Sequence, residues 1–244
     1  MRDFTFYLGT PGSALHAHLI EGMPVLVSFA AQSKWLKRSW MTSFGSLLLD
    51  SGAFSEMNSG KKVDLMAYID WAQQYSFADA WAGLDSITGN WRQSMANYRA
   101  PGAWGSFPTF HDSDPPELLS ELIKMAQERK SKWIGIGLVP PRGGKEIFMK
   151  ETLEQIPDDL HVHAWACGMY TYFTRIDSTD STNWFRDSFK LSKDPLTSHL
   201  TPAECLKIVL LRYERSGRKR TPKKLLSVLK DSQLSLYSET TKQE

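Results

Sequence analysis

The sequence predicts an α/β fold and, within that class, a compact (β/α)8 TIM-type barrel with a basic C-terminal helical extension. Two observations lead to this prediction. Short apolar runs alternate with longer amphipathic segments, which indicates parallel strands joined by crossover helices. Polar residues recur where these runs end, as they do around the active sites of such barrels. A length of 244 residues with 41% hydrophobic residues supplies the core that the fold needs.

Eight apolar runs are the candidate strands. In order they read FTFYLG, PVLVSFA, SLLLDSG, AWAGLDS, SFPTFH, WIGIGLV, HVHAWACG and the weaker YFTRIDS. Four intervening segments look helical: DLMAYIDWAQQY, ITGNWRQSMANYRA, PPELLSELIKMAQERK and KEIFMKETLEQI. Eight runs match the strand count of a (β/α)8 barrel, and an open doubly wound sheet is the alternative.

The ends of the runs favour the barrel. Six residues lie at or just beyond these ends: Asp50, Asp85, His111, Gly137, His163 and Asp177. In a barrel the C-terminal strand ends surround a single mouth, whereas an open sheet would spread them along a crevice. The sequence therefore predicts that these residues share one site.

The C-terminal part is expected to be helical and basic. Residues 1–195 are assigned to the catalytic barrel, and residues 196–244 to a helical segment that packs on the barrel or extends from it. A first helix starts at Thr201-Pro202 and stops near Gly217, and a second reads TPKKLLSVLKD. The basic excess from Arg212 to Lys230 indicates either a solvated surface or contact with a polyanion. The candidate nucleic-acid contacts are Arg215, Arg218, Lys219, Arg220, Lys223 and Lys224.

Bulk features exclude several classes of protein. No apolar run approaches the roughly 18 residues of a membrane span, and the N-terminus MRDFTFYLGTPG lacks the apolar core of a signal peptide. Cys167 and Cys205 are too few for a disulfide framework or a four-thiolate zinc site. The expected location is therefore a reducing, cytoplasmic one.

Carboxylates are the main candidates for chemistry. Asp50 and Asp85 follow apolar strands, where a carboxylate either accepts hydrogen bonds from the next turn or faces a ligand. The segment RIDSTDSTNW adds Asp177 and Asp180, although Asp-Ser-Thr is also a favoured turn and cap composition. Three carboxylates at one mouth would indicate a metal site or a two-carboxylate displacement at a sugar carbon.

Two glycines in one strand point to a close approach. Gly135 and Gly137 alternate along WIGIGLV, which indicates that a flat ligand or another backbone lies against the strand. The spacing matches neither a dinucleotide-binding GxGxxG nor a Walker motif. No nucleotide cofactor is therefore expected.

Histidine pairs raise the question of a metal. His16-Ala-His18 and His161-Val-His163 would each place both rings on one face of a strand, as in some metal-dependent barrel hydrolases. The further ligands that such a site needs do not follow at later strand ends. We therefore expect no metal, with His161 in a structural role and His163 lining a pocket.

Five motifs follow one another along the chain: DSGAFS, GLDS, IGIGLV, HAWACGM and DSTDSTNW. DSGAFS resembles the DSGGFQ motif of the tRNA-guanine transglycosylases. The ordered series resembles a phage and bacterial branch of that superfamily, whose enzymes place 7-deazaguanine bases in DNA. The resemblance covers Phe4 to Trp184 and implies base exchange through a covalent sugar–enzyme intermediate.

The resemblance also implies roles at the matching positions. Asp50 would transfer protons, and Asp85 would bind the Watson–Crick edge of the base. The nucleophile at C1′ would be Asp177, which fits a strand end, or Asp180, which fits the spacing to Trp184. Gly135 and Gly137 would offer backbone contacts, and the segment His163 to Gly168 would form one wall of the base pocket. The implied binding residues are Ser51, Gly52, Phe54, Asp85, His111, Gly135, Gly137, His163, Trp165, Gly168 and Trp184.

Two departures from the tRNA enzymes refine these expectations. Their Cys-x-Cys-x-x-Cys…His zinc site has no counterpart after Asp180, so zinc is not expected. At 244 residues this chain is shorter than the tRNA enzymes and lacks room for their extra parts, which favours DNA over tRNA as the acceptor. The implied partners are nucleic acid and a free 7-deazaguanine (preQ0-like) base, with no membrane, and a homodimer is left open. The location would be the host cytoplasm if a phage encodes the protein.

Three alternatives remain beside the base-exchanging enzyme. The first is a tRNA-guanine transglycosylase-like enzyme that acts on RNA. The second is a hydrolase on the same barrel, either an N-glycosylase or a metal-dependent enzyme built on the histidine pairs. The third is a nucleic-acid-binding module without turnover.

Overall fold

The computed structural model describes residues 4–31, 36–87, 89–139, 145–167 and 173–217, and these residues form eight strands and nine α-helices. The strands are β1 Thr5–Leu8, β2 Pro24–Ser28, β3 Ser46–Asp50, β4 Ala80–Trp81, β5 Thr109–His111, β6 Trp133–Gly137, β7 His161–Ala164 and β8 Ser178–Ser181. The helices are α1 Ala14–Leu19, α2 Arg38–Met41, α3 Ala53–Ser59, α4 Leu65–Gln73, α5 Trp91–Tyr98, α6 Leu118–Glu128, α7 Glu146–Gln155, α8 Asn183–Ser192 and α9 Pro202–Gly217.

The strands form one parallel sheet in the order β4-β3-β2-β1-β8-β7-β6-β5. This is the chain order with the first and last strands joined, as in a (β/α)8 barrel. Between the two outermost strands, Ala82 and Phe107 form a single parallel bridge, and the Gly83 amide donates to the Phe107 carbonyl at 2.8 Å. The predicted α/β class with parallel strands is confirmed, and the curled sheet is compatible with the barrel.

Apolar side chains cover both faces of this sheet. On the outer face, strand residues pack against the helices in two large clusters. On the inner face, a third cluster joins alternate residues of five strands to the two bridge residues. Its buried members are Tyr7, Leu26, Leu48, Ala80, Ala82, Phe107 and Trp133. Because residues from strands so far apart in the sheet meet there, the sheet must curl around them.

The helices begin where the sequence offers caps. The Asp64 carboxylate accepts from the Ala67 amide at 2.8 Å before α4, and the Asn90 side chain caps α5 in the same way. The Thr201-Pro202 start is confirmed for α9, where Thr201 and Glu204 form a reciprocal capping box. In the described part of the chain, no helix is long and apolar enough to cross a membrane.

Helix α9 is part of the outer core. It contacts α8, α1 and β1. Its apolar face buries Cys205, Leu206, Val209 and Leu210. The second predicted helix, TPKKLLSVLKD, lies outside the described residues.

The eighth strand differs from the prediction. YFTRIDS was expected to be that strand, but β8 starts at Ser178, directly after Asp177, and reads STDS. The strand has no apolar residue, so the apolar-run criterion misses it. Its polar side chains are instead satisfied inside the sheet, as Ser178 and Thr179 are fully buried and hydrogen-bonded.

Candidate active site

The carboxyl ends of the strands bring several predicted residues together. Asp50 is the last residue of β3, His111 ends β5 and Gly137 ends β6. Asp85 follows β4 by a few residues, beyond the bridge that links β4 to β5. Because all strands are parallel, these residues lie at one end of the sheet, as the sequence predicts.

Asp50 sits in a tight strand-to-helix turn. Ser51 is buried, and Gly52 adopts the left-handed conformation at φ +85° before α3 begins. A Cβ at Gly52 would lie 2.4 Å from the Ala30 Cβ, so the glycine is needed by the backbone and leaves no room for a base there. The Gly52 amide donates to Asp50 Oδ2 at 3.2 Å.

The environment of Asp50 favours its protonated form. Burial raises the pKa of the Asp50 carboxyl to about 6. The nearby Ser28 hydroxyl acts in the opposite direction and lowers this pKa. The charge of Asp85 raises the pKa further, the Gly52 amide lowers it, and the charge of Asp180 raises it again. Ser28 pairs with Asp50 across β2 and β3, although its buried Oγ forms no hydrogen bond of standard geometry. The charges of two carboxylates from other strands, Asp85 and Asp180, therefore both act on Asp50.

Asp85 is held by His111. His111 Nε2 lies 2.5 Å from Asp85 Oδ2, and both side chains are at most one-tenth exposed. Burial lowers the pKa of His111, but the hydrogen bond and charge of Asp85, with the charges of Asp114 and Asp112, outweigh it and raise the pKa overall. Asp114 also accepts from the His111 backbone amide at 2.8 Å. His111 thus orients the buried Asp85 carboxylate through a charge-assisted contact, and this carboxylate is a hydrogen-bond acceptor at the rim of the site.

Asp180 is fixed through one oxygen. Its Oδ1 accepts from the Ala166 amide at 2.8 Å and lies 3.4 Å from His163 Nε2. Ala166 has φ of +44°, a left-handed conformation that costs a non-glycine residue energy. Among the described residues, Oδ2 of Asp180 forms no hydrogen bond.

Asp177 lies at the opposite end of β8. The prediction that it ends a strand is wrong, because it immediately precedes β8. It is 7% exposed, and its Oδ2 accepts from the Val162 amide at 2.8 Å and from Arg175 Nη1 at 3.0 Å. Arg175 in turn donates to the carbonyls of Pro157 and Leu160. Asp177 therefore holds the amino end of the sheet together.

The two strand glycines accommodate side chains. A Cβ at Gly135 would lie 2.5 Å from Thr109 Oγ1 and 2.6 Å from Trp165 Nε1. At Gly137 it would lie 2.2 Å from His111 Nδ1. The close approach predicted from these glycines is present, but neighbouring side chains make it, and the surfaces assigned to base contacts are occupied.

The aromatic candidates divide into two groups. Trp165 follows β7, stacks on Phe107 with ring centroids 6.0 Å apart, and donates to Thr109 Oγ1 at 3.1 Å. Phe54, in α3 beside the Asp50 turn, is 47% exposed. Trp184 is instead 1% exposed in the outer core and donates to the Gly9 carbonyl, so its prediction as a binding residue is wrong.

The histidine pairs also behave differently from each other. His16 and His18 lie on helix α1, where residues two apart point in different directions, so the predicted strand pair is wrong there. His161 and His163 do share one face of β7, and both contact Ser178. His163 is fully buried, with Nε2 3.4 Å from Asp180 Oδ1, and its role in lining a pocket stays a prediction. In the part of the chain that the structure describes, no three His, Cys, Asp or Glu side chains are arranged to hold a metal ion.

Some predicted residues lie outside the described parts of the chain. These are Gly168 and the basic residues Arg218, Lys219, Arg220, Lys223 and Lys224. Arg215 belongs to helix α9, but its side chain also lies outside the described parts. Ser28 is a site residue that the sequence analysis missed, whereas Ala166 lies in the segment His163 to Gly168 that was expected to form a pocket wall. Ser28 had a signal, because the run PVLVSFA ends in a serine at a strand end.

No family model matches the chain, and no curated protein matches it. The function is therefore inferred from the chemistry of the site.

Proposed function

We propose that the protein is a base-exchanging transglycosylase that replaces guanine in DNA with a 7-deazaguanine base through a covalent sugar–Asp180 intermediate. One observation carries the proposal. Asp50, Asp85 and Asp180 come from three strand ends, and the charges of Asp85 and Asp180 both act on the carboxyl group of Asp50, whose pKa is raised to about 6. A protonatable acid beside a second carboxylate is the arrangement by which retaining glycosyl-transfer enzymes work.

The first step forms a bond between Asp180 Oδ2 and C1′ of the nucleotide. The C1′–N bond breaks, its electron pair stays with the departing guanine, and Asp50 gives that base its proton. Asp180 is suited to the attack because its Oδ1 is held by the Ala166 amide while Oδ2 forms no hydrogen bond in the described residues. Of the two candidates that the sequence left open, Asp177 and Asp180, we therefore propose Asp180 as the nucleophile.

The second step reverses the first with a different base. The incoming 7-deazaguanine attacks C1′, loses a proton to Asp50 and releases Asp180 Oδ2, so the sugar keeps its configuration. Asp85 presents a carboxylate that is already oriented by His111 and accepts N–H groups from the edge of a purine-like base. No step consumes energy from outside, since one glycosidic bond is exchanged for another.

The polymer substrate follows from geometry and charge. A sugar carbon reaches carboxylates at the carboxyl end of such a curled sheet only when its nucleotide is unstacked, and the exposed ring of Phe54 offers a surface for stacking. The basic stretch from Arg212 to Lys230 supplies positive charge for a phosphate backbone. Together with the motif resemblance, these features support DNA as the acceptor.

The test measures label in polymer. Purified protein is incubated with guanine-containing duplex DNA and a radiolabelled 7-deazaguanine, and with tRNA in a parallel reaction. We expect label in DNA, its loss with Asp180→Asn, and a denaturation-resistant protein–DNA adduct in the absence of incoming base. Label in tRNA alone would move the acceptor to RNA. Guanine release with no incorporation would identify an N-glycosylase, and no reaction with either polymer would refute the proposal.

A further inference from the structure

A continuous chain of polar contacts runs through the interior of the sheet to Asp180. His161 Nε2 lies 2.8 Å from Ser178 Oγ, and the same oxygen lies 2.9 Å from His163 Nδ1. On the other side of its ring, His163 Nε2 lies 3.4 Å from Asp180 Oδ1. The chain therefore links β7 and β8 by three contacts and ends at the carboxylate assigned as nucleophile.

The rings in this chain are held by aromatic neighbours. His161 stacks on Trp133 with centroids 3.7 Å apart, and Trp165 meets His163 edge-on at 4.4 Å. His163 and Ser178 are fully buried. Because the rings are enclosed, the atoms that face each other are set by the packing, and only the hydrogen positions remain to be assigned.

Counting donors gives the chain one direction. A carboxylate oxygen only accepts, and His163 Nε2 lies 3.4 Å from Asp180 Oδ1 without a hydrogen bond of standard geometry to any described residue, so a hydrogen on Nε2 is the arrangement that this contact favours. A neutral His163 then has a lone pair on Nδ1, which requires the Ser178 hydroxyl as donor. Ser178 has a single hydrogen, so its oxygen accepts from His161 Nε2–H. The opposite arrangement would place a nitrogen lone pair against the Asp180 carboxylate.

We propose that Ser178 and His163 are positioning residues for Asp180: the Asp180 carboxylate keeps the hydrogen of neutral His163 on Nε2, and Ser178 donates to Nδ1 and so holds the ring with that hydrogen toward Asp180 Oδ1. The catalytic consequence rests on the proposed function of Asp180, whereas the tautomer assignment does not. With Oδ1 bonded to the Ala166 amide and His163 Nε2 3.4 Å away, the carboxylate is oriented before the substrate arrives and Oδ2 is the oxygen that attacks. His161 orients Ser178 but does not determine its donor.

Replacing Ser178 removes the donor that the described residues offer to Nδ1. In Ser178→Ala, Asp180 still keeps the hydrogen on Nε2, but the Nδ1 lone pair loses its hydrogen bond and the ring loses the contact that orients it. Ser178→Thr keeps a hydroxyl at the same place and should keep the wild-type tautomer. His161→Phe retains an aromatic ring against Trp133 and leaves the Ser178 hydrogen available to His163, so the tautomer should again be unchanged.

The experiment reads the tautomer directly. The full chain is labelled with ¹⁵N-histidine, its six histidines are observed by long-range ¹H–¹⁵N correlation, and the His163 signals are assigned from their loss in His163→Gln. We expect the Nε2–H pattern in wild type and in all three variants, with the ¹⁵N signal of Nδ1 moved downfield in Ser178→Ala alone, because its hydrogen bond is lost there. A wild-type protein with its hydrogen on Nδ1, or a Ser178→Ala protein whose Nδ1 signal is the same as in wild type, would overturn the proposal.

Activity gives a second readout. Ser178→Ala should lower kcat for base exchange roughly 10- to 100-fold with little change in KM. This is expected when the hydrogen bond that orients His163 beside the reacting carboxylate is lost. Ser181→Ala is the control, because this neighbouring hydroxyl caps Asn183 and does not contact His163. An unchanged kcat in Ser178→Ala would overturn the positioning role. If wild type exchanges no base while the tautomers are as expected, the proposed function fails and the tautomer assignment remains.

Discussion

Replacing Asp50 by asparagine should stabilise the fold at neutral pH while removing the proposed activity. The pKa of Asp50 is raised from 3.8 to about 6, chiefly by burial. A raised carboxyl pKa means that the folded state binds the proton more tightly than the unfolded state. This group therefore favours folding most below about pH 4, and that contribution is lost as the pH rises through about 6. Asparagine imitates the protonated form at every pH.

The magnitude follows from the two pKa values. A difference of about 2 corresponds to roughly 3 kcal/mol in the free energy of unfolding, since each pKa unit is worth about 1.4 kcal/mol. We expect Asp50→Asn to gain about 2–3 kcal/mol over wild type at pH 8, about half of this at pH 5, and little at pH 4. Tyr68 and Asp85 interact with Asp50 and remain in place in this variant.

The assay is urea unfolding from pH 4 to pH 8, followed by tryptophan fluorescence, with wild type and Asp50→Asn in the same buffers. Asp70→Asn is the matched control, because this carboxylate is exposed on α4 and its replacement should change stability by less than about 0.5 kcal/mol at every pH. A stability gain that is independent of pH would show that the effect is steric. A loss of stability at pH 8 would refute the raised pKa and, with it, the role of Asp50 as the proton donor.

Three further predictions concern positions that the structure explains. Asp177→Asn should lower the free energy of unfolding by about 1–3 kcal/mol in urea titrations, since Arg175 loses a charged partner, and a stability equal to wild type would contradict its structural role. Gly137→Ala should displace His111 and abolish base exchange, whereas Gly12→Ala, whose added Cβ lies 3.7 Å from its nearest neighbour, should be tolerated in both activity and thermal unfolding. Thr201→Ala should cost about 1 kcal/mol through loss of the capping box, and no change in Tm would indicate that α9 is held by packing alone.

The class of fold was predictable because burial on both faces makes parallel strands uniformly apolar. LLLD and WIGIG are such strands, and Asp50 and Gly137 end them as expected. Strand β8 was not predictable in this way. Its polar residues are satisfied by partners on other strands, such as His163 for Ser178, and no local pattern encodes those partners. The error at Asp177 follows from this, because a strand shifted by a few residues moves a carboxylate from one end of the sheet to the other.

The site was predictable at the level of position and less so at the level of contacts. Strand ends told us that Asp50, Asp85 and His111 would lie together. They did not tell us that His111 would hold Asp85, which requires knowing the register between β4 and β5. Gly135 and Gly137 correctly indicated a close approach to the strand, but the groups that approach are neighbouring side chains and not a flat ligand. A missing Cβ shows that space is needed and does not identify the group that fills it.

The pairing of β1 with β8 has a consequence for how the protein is made. Thr5 pairs with Ser178, so the first strand completes its hydrogen bonds only with residues that the ribosome adds about 170 positions later. Until then, one side of β1 and the apolar surface later covered by α9 are open to other chains. We therefore expect nascent chains that stop before β8 to depend on chaperones and to aggregate readily when expressed alone.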